Sequence, residues 1–235
     1  TMSWGGADDS AIDIFNTASL VSAIDTTIYA IDGCIEVGRD FLADSPVNVG
    51  QTLTQLIGER LRNELDKVIA NGNGTTQPEG LFQASGVSTV TADNGASGPP
   101  TLDDYLDLLF GIDKQYRKAG MRVAFISNDT SYQRSKAIKV DTASPSTDQR
   151  PVLSPLTQVN DYMTLGWNHR IENNLGNTVA GIAALAKYRL YRRMGLEMRW
   201  ESGGKELARR NMMLLVYRAR FGGKLMDSNA FCKWT

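Results

Sequence analysis

Hydrophobic residues recur at spacings of three and four between Pro46 and Ala70: Val49, Leu53, Leu56, Ile57, Leu61, Leu65, Val68 and Ile69. Gln51, Gln55, Glu59, Arg60, Arg62, Asn63, Glu64, Asp66 and Lys67 fill the other positions. This period predicts an amphipathic helix over 46–70 with one apolar face. Ser45 stands where an N-cap belongs, and Pro46 takes the first helical position, where its missing N–H costs nothing. Arg60/Glu64 and Arg62/Asp66 are i, i+4 pairs that add a few tenths of a kcal/mol each. At about 1.5 Å per residue the helix spans roughly 37 Å, well beyond the three-turn mean of globular proteins. It runs into Asn71-Gly72-Asn73-Gly74-Thr75-Thr76-Gln77-Pro78-Glu79-Gly80-Leu81-Phe82, where Asn and Gly tolerate the left-handed conformation that ends helices.

Elsewhere the periods are shorter. Residues 1–27 are polar, with scattered Trp4, Ile12, Ile14, Phe15, Leu20 and Val21, too few to form a core without another surface to lie on. Residues 27–37 read as a strand. Residues 86–100 form a Ser/Thr/Gly/Pro linker and a plausible domain boundary. Thr101 and Asp104 make a capping-box pattern for a second helix, whose apolar face (Leu102, Tyr105, Leu106, Leu109, Ile112, Tyr116) is expected to reach Gly120. A buried strand over 123–127 and a short helix over 129–138 follow, then an exposed Ser/Asp/Pro-rich loop over 141–150. Strands are expected at 163–172 and 179–190, a hairpin over 188–200 turning near Met194-Gly195, and a long strand over 211–221. Segregated helices and antiparallel strands give the class α+β.

The chain has 235 residues, 42% hydrophobic and 22% charged, enough to bury a core in one or two domains. No apolar run approaches 18 residues, so a membrane span is not expected. No charged-then-apolar leader opens the sequence, and its start at Thr1 suggests a processed form or the ordered part of a longer one. Cys34 and Cys232 make no disulfide framework, and a reduced cytoplasmic setting is the plain reading. A net charge of −1 conceals an asymmetry. Residues 1–56 carry eight acids against one base, and residues 187–235 twelve bases against four acids. Opposite-sign ends suggest mutual packing or head-to-tail association between copies, with ordinary surface charge as the alternative.

Site chemistry is sparse. A single histidine, His169, cannot build a multi-histidine metal site and reads as a solvated or structural residue. The two cysteines lack metal-ligand spacing. Gly72-Asn73-Gly74 and Gly222-Gly223-Lys224 lack the context of a phosphate loop, and no Gly-x-Ser-x-Gly elbow occurs. Asp103, Asp104 and Asp107 suit a helix N-terminus, and Asp8 and Asp9 a solvated loop. No catalytic, metal-binding or cofactor-binding residue is expected.

Three stretches carry a resemblance: Glu36-Val37-Gly38-Arg39-Asp40-Phe41-Leu42-Ala43-Asp44-Ser45, then the amphipathic stretch, then Asn71 to Leu81. In this order they resemble the major capsid proteins of tailed bacteriophages with the Hong Kong 97-type fold. Thr164-Leu165-Gly166-Trp167 and the stretch from Lys187-Tyr188-Arg189 to Leu196-Glu197 fit the same order. The resemblance covers nearly the whole chain, and its central segment is the specific part.

The resemblance implies an extended E-loop over 1–30, a P-domain over 31–94 with its spine helix at 46–70, and an A-domain over 95–187. P-domain strands then return over 188–221, and 222–235 lead back to the A-domain. It further implies a subunit that self-assembles into hexamers and pentamers of an icosahedral shell, enclosing double-stranded DNA by non-specific confinement. Portal, scaffold or decoration proteins are possible further partners. Such a protein is a virion component assembled in the host cytoplasm. An encapsulin-type nanocompartment shell shares the fold and is the alternative; a soluble α+β enzyme or ligand-binding domain is a third reading.

Some family members weld the shell by an isopeptide bond between an E-loop lysine and a P-domain asparagine. Here the first lysine is Lys67, inside the expected spine helix, and seven residues beyond Asn211 stands Arg218 rather than an acid. A non-covalent shell is therefore expected. Its inter-subunit contacts would join Trp4, Ile14 and Phe15 by burial, and Asp8, Asp9, Asp13 and Asp25 by charge to Arg192, Arg193, Arg199, Arg209 or Arg210 of the adjacent subunit.

Overall fold

A computed structural model describes residues 26–92, 100–138, 162–177 and 179–234. Trp4, Asp8, Asp9, Asp13, Ile14, Phe15, Asp25 and the loop over 141–150 lie outside the described residues.

Two sheets organise the molecule. The first has three strands in the order β1 (Tyr29–Gly38), β8 (Met212–Leu225) and β7 (Tyr188–Glu201), all antiparallel. In β1, Ile31, Ile35 and Val37 alternate with exposed Asp32, Cys34 and Glu36, as a half-covered strand requires. The second sheet has six strands in the order β2 (Ser88–Val90), β9 (Phe231–Trp234), β6 (Ala180–Ala184), β3 (Val123–Ser127), β5 (Trp167–Ile171) and β4 (Met163–Thr164). The β2/β9 and β3/β5 pairs are parallel and the rest antiparallel. The mixture of helices and largely antiparallel strands is the expected α+β class. β2 precedes residue 94 in sequence, yet it lies in the six-stranded sheet.

The six-stranded sheet is covered on both faces, and every residue of β3 and β6 is buried. On one face Tyr105, Leu108 and Ile112 meet Phe125, Ile182, Cys232 and Trp234. On the other, Leu81 and Phe82 meet Ile126, Ala183 and Phe231, together with Ala70. The alternation Phe125/Ile126 and Ile182/Ala183 sends successive side chains into opposite cores.

The helices differ from expectation mainly at their ends. The sequence stripe begins a long helix at Pro46, but α2 spans Val49–Asn71, and its N-cap is Asn48, whose carboxamide accepts from the N–H of Gln51 at 3.1 Å. Ser45 instead closes a separate short helix, α1 (Arg39–Asp44), its N–H donating to the Phe41 carbonyl at 3.2 Å. Pro46 explains where α1 ends, because it drives the residue before it out of the helical region; Ser45 is extended, with ψ of 129°. α3 (Leu102–Gly111) has the expected reciprocal capping box between Thr101 and Asp104, yet stops well short of Gly120. Gly111 lies against the Cys232 side chain, and Ile112 turns extended to bury itself. α4 (Asp129–Lys136) is capped by Asn128.

Three strand expectations are corrected. Residues 163–172 are not one strand but the antiparallel pair β4 and β5, separated at Leu165-Gly166. Residues 179–190 are not one strand: after β6 a short 3-10 turn over Leu185–Lys187 carries the chain into β7 and the other sheet. Residues 188–200 are not a hairpin. β7 runs through Met194-Gly195 with register shifts between Arg192 and Glu197, so Gly195 sits in a bulged region rather than a turn. The reversal comes later, through Gly204 (φ 125°), α5 (Lys205–Arg209) and Asn211 (φ 53°).

Candidate assembly interface

The turn after α2 is held from several sides. The Asn73 side-chain oxygen accepts from the N–H groups of Thr75, Thr76 and Gln77 at 3.0, 3.0 and 3.3 Å. The Tyr29 hydroxyl, from β1, donates to the Gly74 carbonyl at 2.7 Å, and the Tyr188 hydroxyl, from β7, donates to the Glu79 carbonyl at 2.8 Å. Leu81 and Phe82 then enter the core of the six-stranded sheet. The motif is thus the junction at which the helix foot is tied to both outer strands of one sheet and packed against the other. Its glycines act chiefly by size. Gly74 alone among them needs a left-handed φ, of 69°; Gly72, expected to be left-handed, has φ −63° and makes room for the backbone that returns beside it.

Along the rest of α2 the helix stands off from the three-stranded sheet. Of its apolar stripe only Ile57 and Val68 are buried, while Leu56 is 50% exposed. A groove of about 400 Å³ runs between them, lined by Ile31 and Ile35 of β1, Tyr217 and Ala219 of β8, Leu196 of β7, and Leu53, Leu56 and Leu61 of the helix. Gly33 lets the Tyr217 ring lie flat across β1 as part of the floor, since a side chain there would occupy the ring's position.

The arginines expected at an interface are all exposed. Three of them have partners within the chain: Arg199 reaches Glu201 at 2.7 Å, Arg209 reaches Glu206 at 3.5 Å and Arg210 reaches Glu36 at 4.0 Å. Arg192 and Arg193, at the irregular part of β7, form no ion pair among the described residues. In α2, Glu64 is held by Lys67 at 3.3 Å rather than by Arg60. Asn211 donates through its amide to Asp40 of α1 at 2.9 Å, so the carboxylate beside it comes from a sequence-distant helix.

His169 is structural and not solvated. Only 2% exposed, it lies with Nε2 2.7 Å from Ser127 Oγ and Nδ1 2.8 Å from Thr164 Oγ1, edge-on to Tyr132. Burial, reinforced by the charge of Lys136, lowers its pKa to about 4. Thr164-Leu165-Gly166-Trp167 forms the two-residue hairpin joining β4 to β5, with positive φ at Leu165 and Gly166 (51° and 78°), as a type I′ turn requires. Among the described residues no three His, Cys, Asp or Glu side chains gather as metal ligands, and no helix is long and apolar enough to cross a membrane.

A model described as the phage capsid family matches residues 3–235. The chain belongs to the phage capsid family. It is a major capsid protein, a structural subunit that assembles with its own copies into a shell, and its place is the virion. Solved structures share the fold across this length. The capsid of an empty GTA particle is similar with a TM-score of 0.78 at 15% identity, covering 99% of this chain and 80% of that one. A Microbacterium phage Oxtober96 chain gives 0.65 at 15%, covering 89% and 73%. The SrpI encapsulin of Synechococcus elongatus gives 0.60 at 14%, covering 88% and 73%. No curated protein matches this capsid protein in sequence.

Sequence reasoning missed the groove, the two tyrosine hydroxyls that tie down the turn, and the Asp40–Asn211 contact. The first needed the helix-to-sheet separation. The others join residues about 45 to 170 positions apart, for which a single sequence gives no signal.

Proposed function

We propose that this capsid protein forms hexamers and pentamers of an icosahedral shell that encloses double-stranded DNA and is held without covalent links. In this reading the three-stranded sheet with α2 is the P-domain, the six-stranded sheet with α3 and α4 is the A-domain, and residues 1–30 are the E-loop. The observation that carries it is the stiff α2 strut, tied at its foot to both sheets while much of its apolar stripe is left uncovered by the other described residues. A residue such as Leu56 gains burial only when something else covers it.

The arm at 1–30 supplies the matching chemistry. Trp4, Ile14 and Phe15 would contribute by burial. Asp8, Asp9, Asp13 and Asp25 would face arginines of the adjacent subunit, with Arg192 and Arg193 favoured because Arg199, Arg209 and Arg210 already have intrachain carboxylates. Single exposed pairs are worth about 0–1 kcal/mol and are screened by salt, but a shell repeats each contact many times. DNA is a partner by confinement, assembly takes place in the host cytoplasm, and portal, scaffold or decoration proteins complete the particle.

Electron microscopy of the expressed protein tests the reading. Closed particles with ordered capsomers are expected, and a monodisperse monomer under all conditions would overturn it. The charge contacts are tested separately: reversing Asp8 and Asp9 should weaken shells more at low salt than at high salt, and indifference to both changes would remove them. The encapsulin reading rests on the shared fold with the Synechococcus shell. Protein cargo rather than nucleic acid in purified particles would favour it.

A further inference from the structure

We infer that the groove beneath α2 binds a free aliphatic carboxylate of medium chain length, its alkyl chain lying against Leu53, Leu56 and Ile57 and its carboxylate reaching the Arg60 guanidinium. This goes beyond the shell reading and does not depend on it.

The groove has the make-up of a small-molecule site. Such sites enclose roughly 300–1,000 Å³ and are lined by apolar side chains, with a few polar groups that fix the orientation of the guest. This one, of about 400 Å³, is aliphatic apart from Arg60, Glu64 and Tyr217. An apolar cavity of about 150 Å³ accommodates a benzene ring, so about 400 Å³ has room for an alkyl chain of roughly a dozen carbons.

Its apolar and polar parts are separated along the helix. Residues three and four apart share a helix face, so Leu53, Ile57, Arg60 and Glu64 follow one another along the groove over about 16 Å. Leu53, Leu56 and Ile57 come first, and the two charged residues lie about a turn beyond. A guest with an apolar body and one charged end matches this order.

Donors without acceptors set the sign of that end. Arg60 forms no ion pair among the described residues, and the Tyr217 hydroxyl, which lies over Gly33, forms no hydrogen bond among them. Glu64, the acid of the lining, is already engaged by Lys67 at 3.3 Å. The groove therefore presents two unused donors and one occupied carboxylate. A guest carboxylate supplies the acceptor that is lacking, whereas an ammonium brings only further donors.

Isothermal titration calorimetry of the purified protein with octanoate and decanoate, below their micelle-forming concentrations, tests the assignment. Decanoate should bind once per subunit, more tightly than octanoate by about fourfold for each added methylene, and more tightly than decylammonium. Leu56→Asp should abolish binding, and Gln55→Asp, which lies off the groove, should leave it unchanged. Arg60→Gln should weaken decanoate by up to about fivefold and spare decanol. Leu56 is half exposed, so its replacement should leave the fold in place, as circular dichroism can verify; the chain-length series needs no variant. Equal binding of decanoate and decylammonium, no gain with chain length, or binding that survives Leu56→Asp in the folded protein overturns the assignment. Association with anionic phospholipid vesicles without binding of free decanoate also overturns it, by making the groove a membrane contact.

Discussion

The N–H of Gly80 donates to the carbonyl of Gly72 at 2.8 Å, and the two backbones approach so closely that neither position admits a side chain. Both residues have negative φ, −63° at Gly72 and −88° at Gly80, so size and not backbone freedom requires glycine. A Cβ on Gly80 would press on the backbone of Ala70, Asn71 and Gly72, none of which is a flexible side-chain end. Gly80→Ala is expected to cost about 2–4 kcal/mol. Gly58, inside α2, has nothing within 4 Å of a Cβ position, and Gly58→Ala should stabilise by roughly 0.5–1 kcal/mol. Urea unfolding of the subunit measures both, and effects of the same sign would contradict the assignment.

A second prediction concerns the start of α3. The Thr101 side chain accepts from the Asp104 N–H at 3.2 Å, and the Asp104 carboxylate accepts from the Thr101 N–H at 2.7 Å. Asp104 is buried, and its carbonyl accepts from the Trp234 indole at 3.3 Å, linking the cap to the last strand. Thr101→Ala should lower stability by about 1 kcal/mol, and Thr101→Ser should retain most of it. Chemical denaturation of the two variants distinguishes a lost hydroxyl from a lost methyl group.

Local signals of this kind were legible in the sequence: the capping box at Thr101, the buried run at 123–127, and the stripe of α2 down to its glycine stop. The α2 start was misplaced because Ser45 and Asn48 are both competent caps and Pro46 suits a helix start after either, so the sequence does not choose between them; in the fold it is Asn48 whose side chain accepts from the Gln51 N–H. The break of 179–190 into two sheets had no local mark, because an apolar run fits either sheet and long-range pairing chooses. Met194-Gly195 resembled a turn, but a two-residue hairpin needs left-handed residues, and the positive-φ positions lie at Gly204 and Asn211. At the candidate interface the exposed arginines were foreseeable from composition, but their intrachain partners were not. Glu36 lies 174 positions from Arg210, and the two meet only because β1 pairs with β8.

The two cysteines should differ sharply in reactivity. Cys34 sits on the outward side of β1 and is exposed, whereas Cys232 is buried against Gly111 and its thiol is pushed up to about 11 by burial. At pH 8 only about one Cys232 thiol in a thousand would be ionised even if reagent could reach it. A colourimetric thiol assay on the folded subunit should therefore release about one equivalent quickly, the second following only with denaturant. Two fast equivalents would show that β9 opens readily from the sheet.

His169 gives stability a pH dependence of predictable sign. The Ser127 hydroxyl donates to the Asn128 carbonyl at 3.1 Å, so its oxygen accepts from Nε2–H, leaving Nδ1 to accept from Thr164. An imidazolium would place a second donor against the Thr164 hydroxyl, which would have to turn away. The folded pKa of about 4 lies below the ordinary 6.5, so between these values the unfolded chain binds more protons than the folded one, and stability rises with pH. The contribution is complete above pH 6.5 and is lost as pH falls toward 4, on the order of 3 kcal/mol in all. As this is the chain's single histidine, its NMR signal is unambiguous and should remain that of neutral imidazole at pH 5.5. His169→Gln should lower stability at pH 7 yet flatten its slope between pH 5 and 6.5. A native histidine titrating near 6.5 would show that the ring is not held in this pocket.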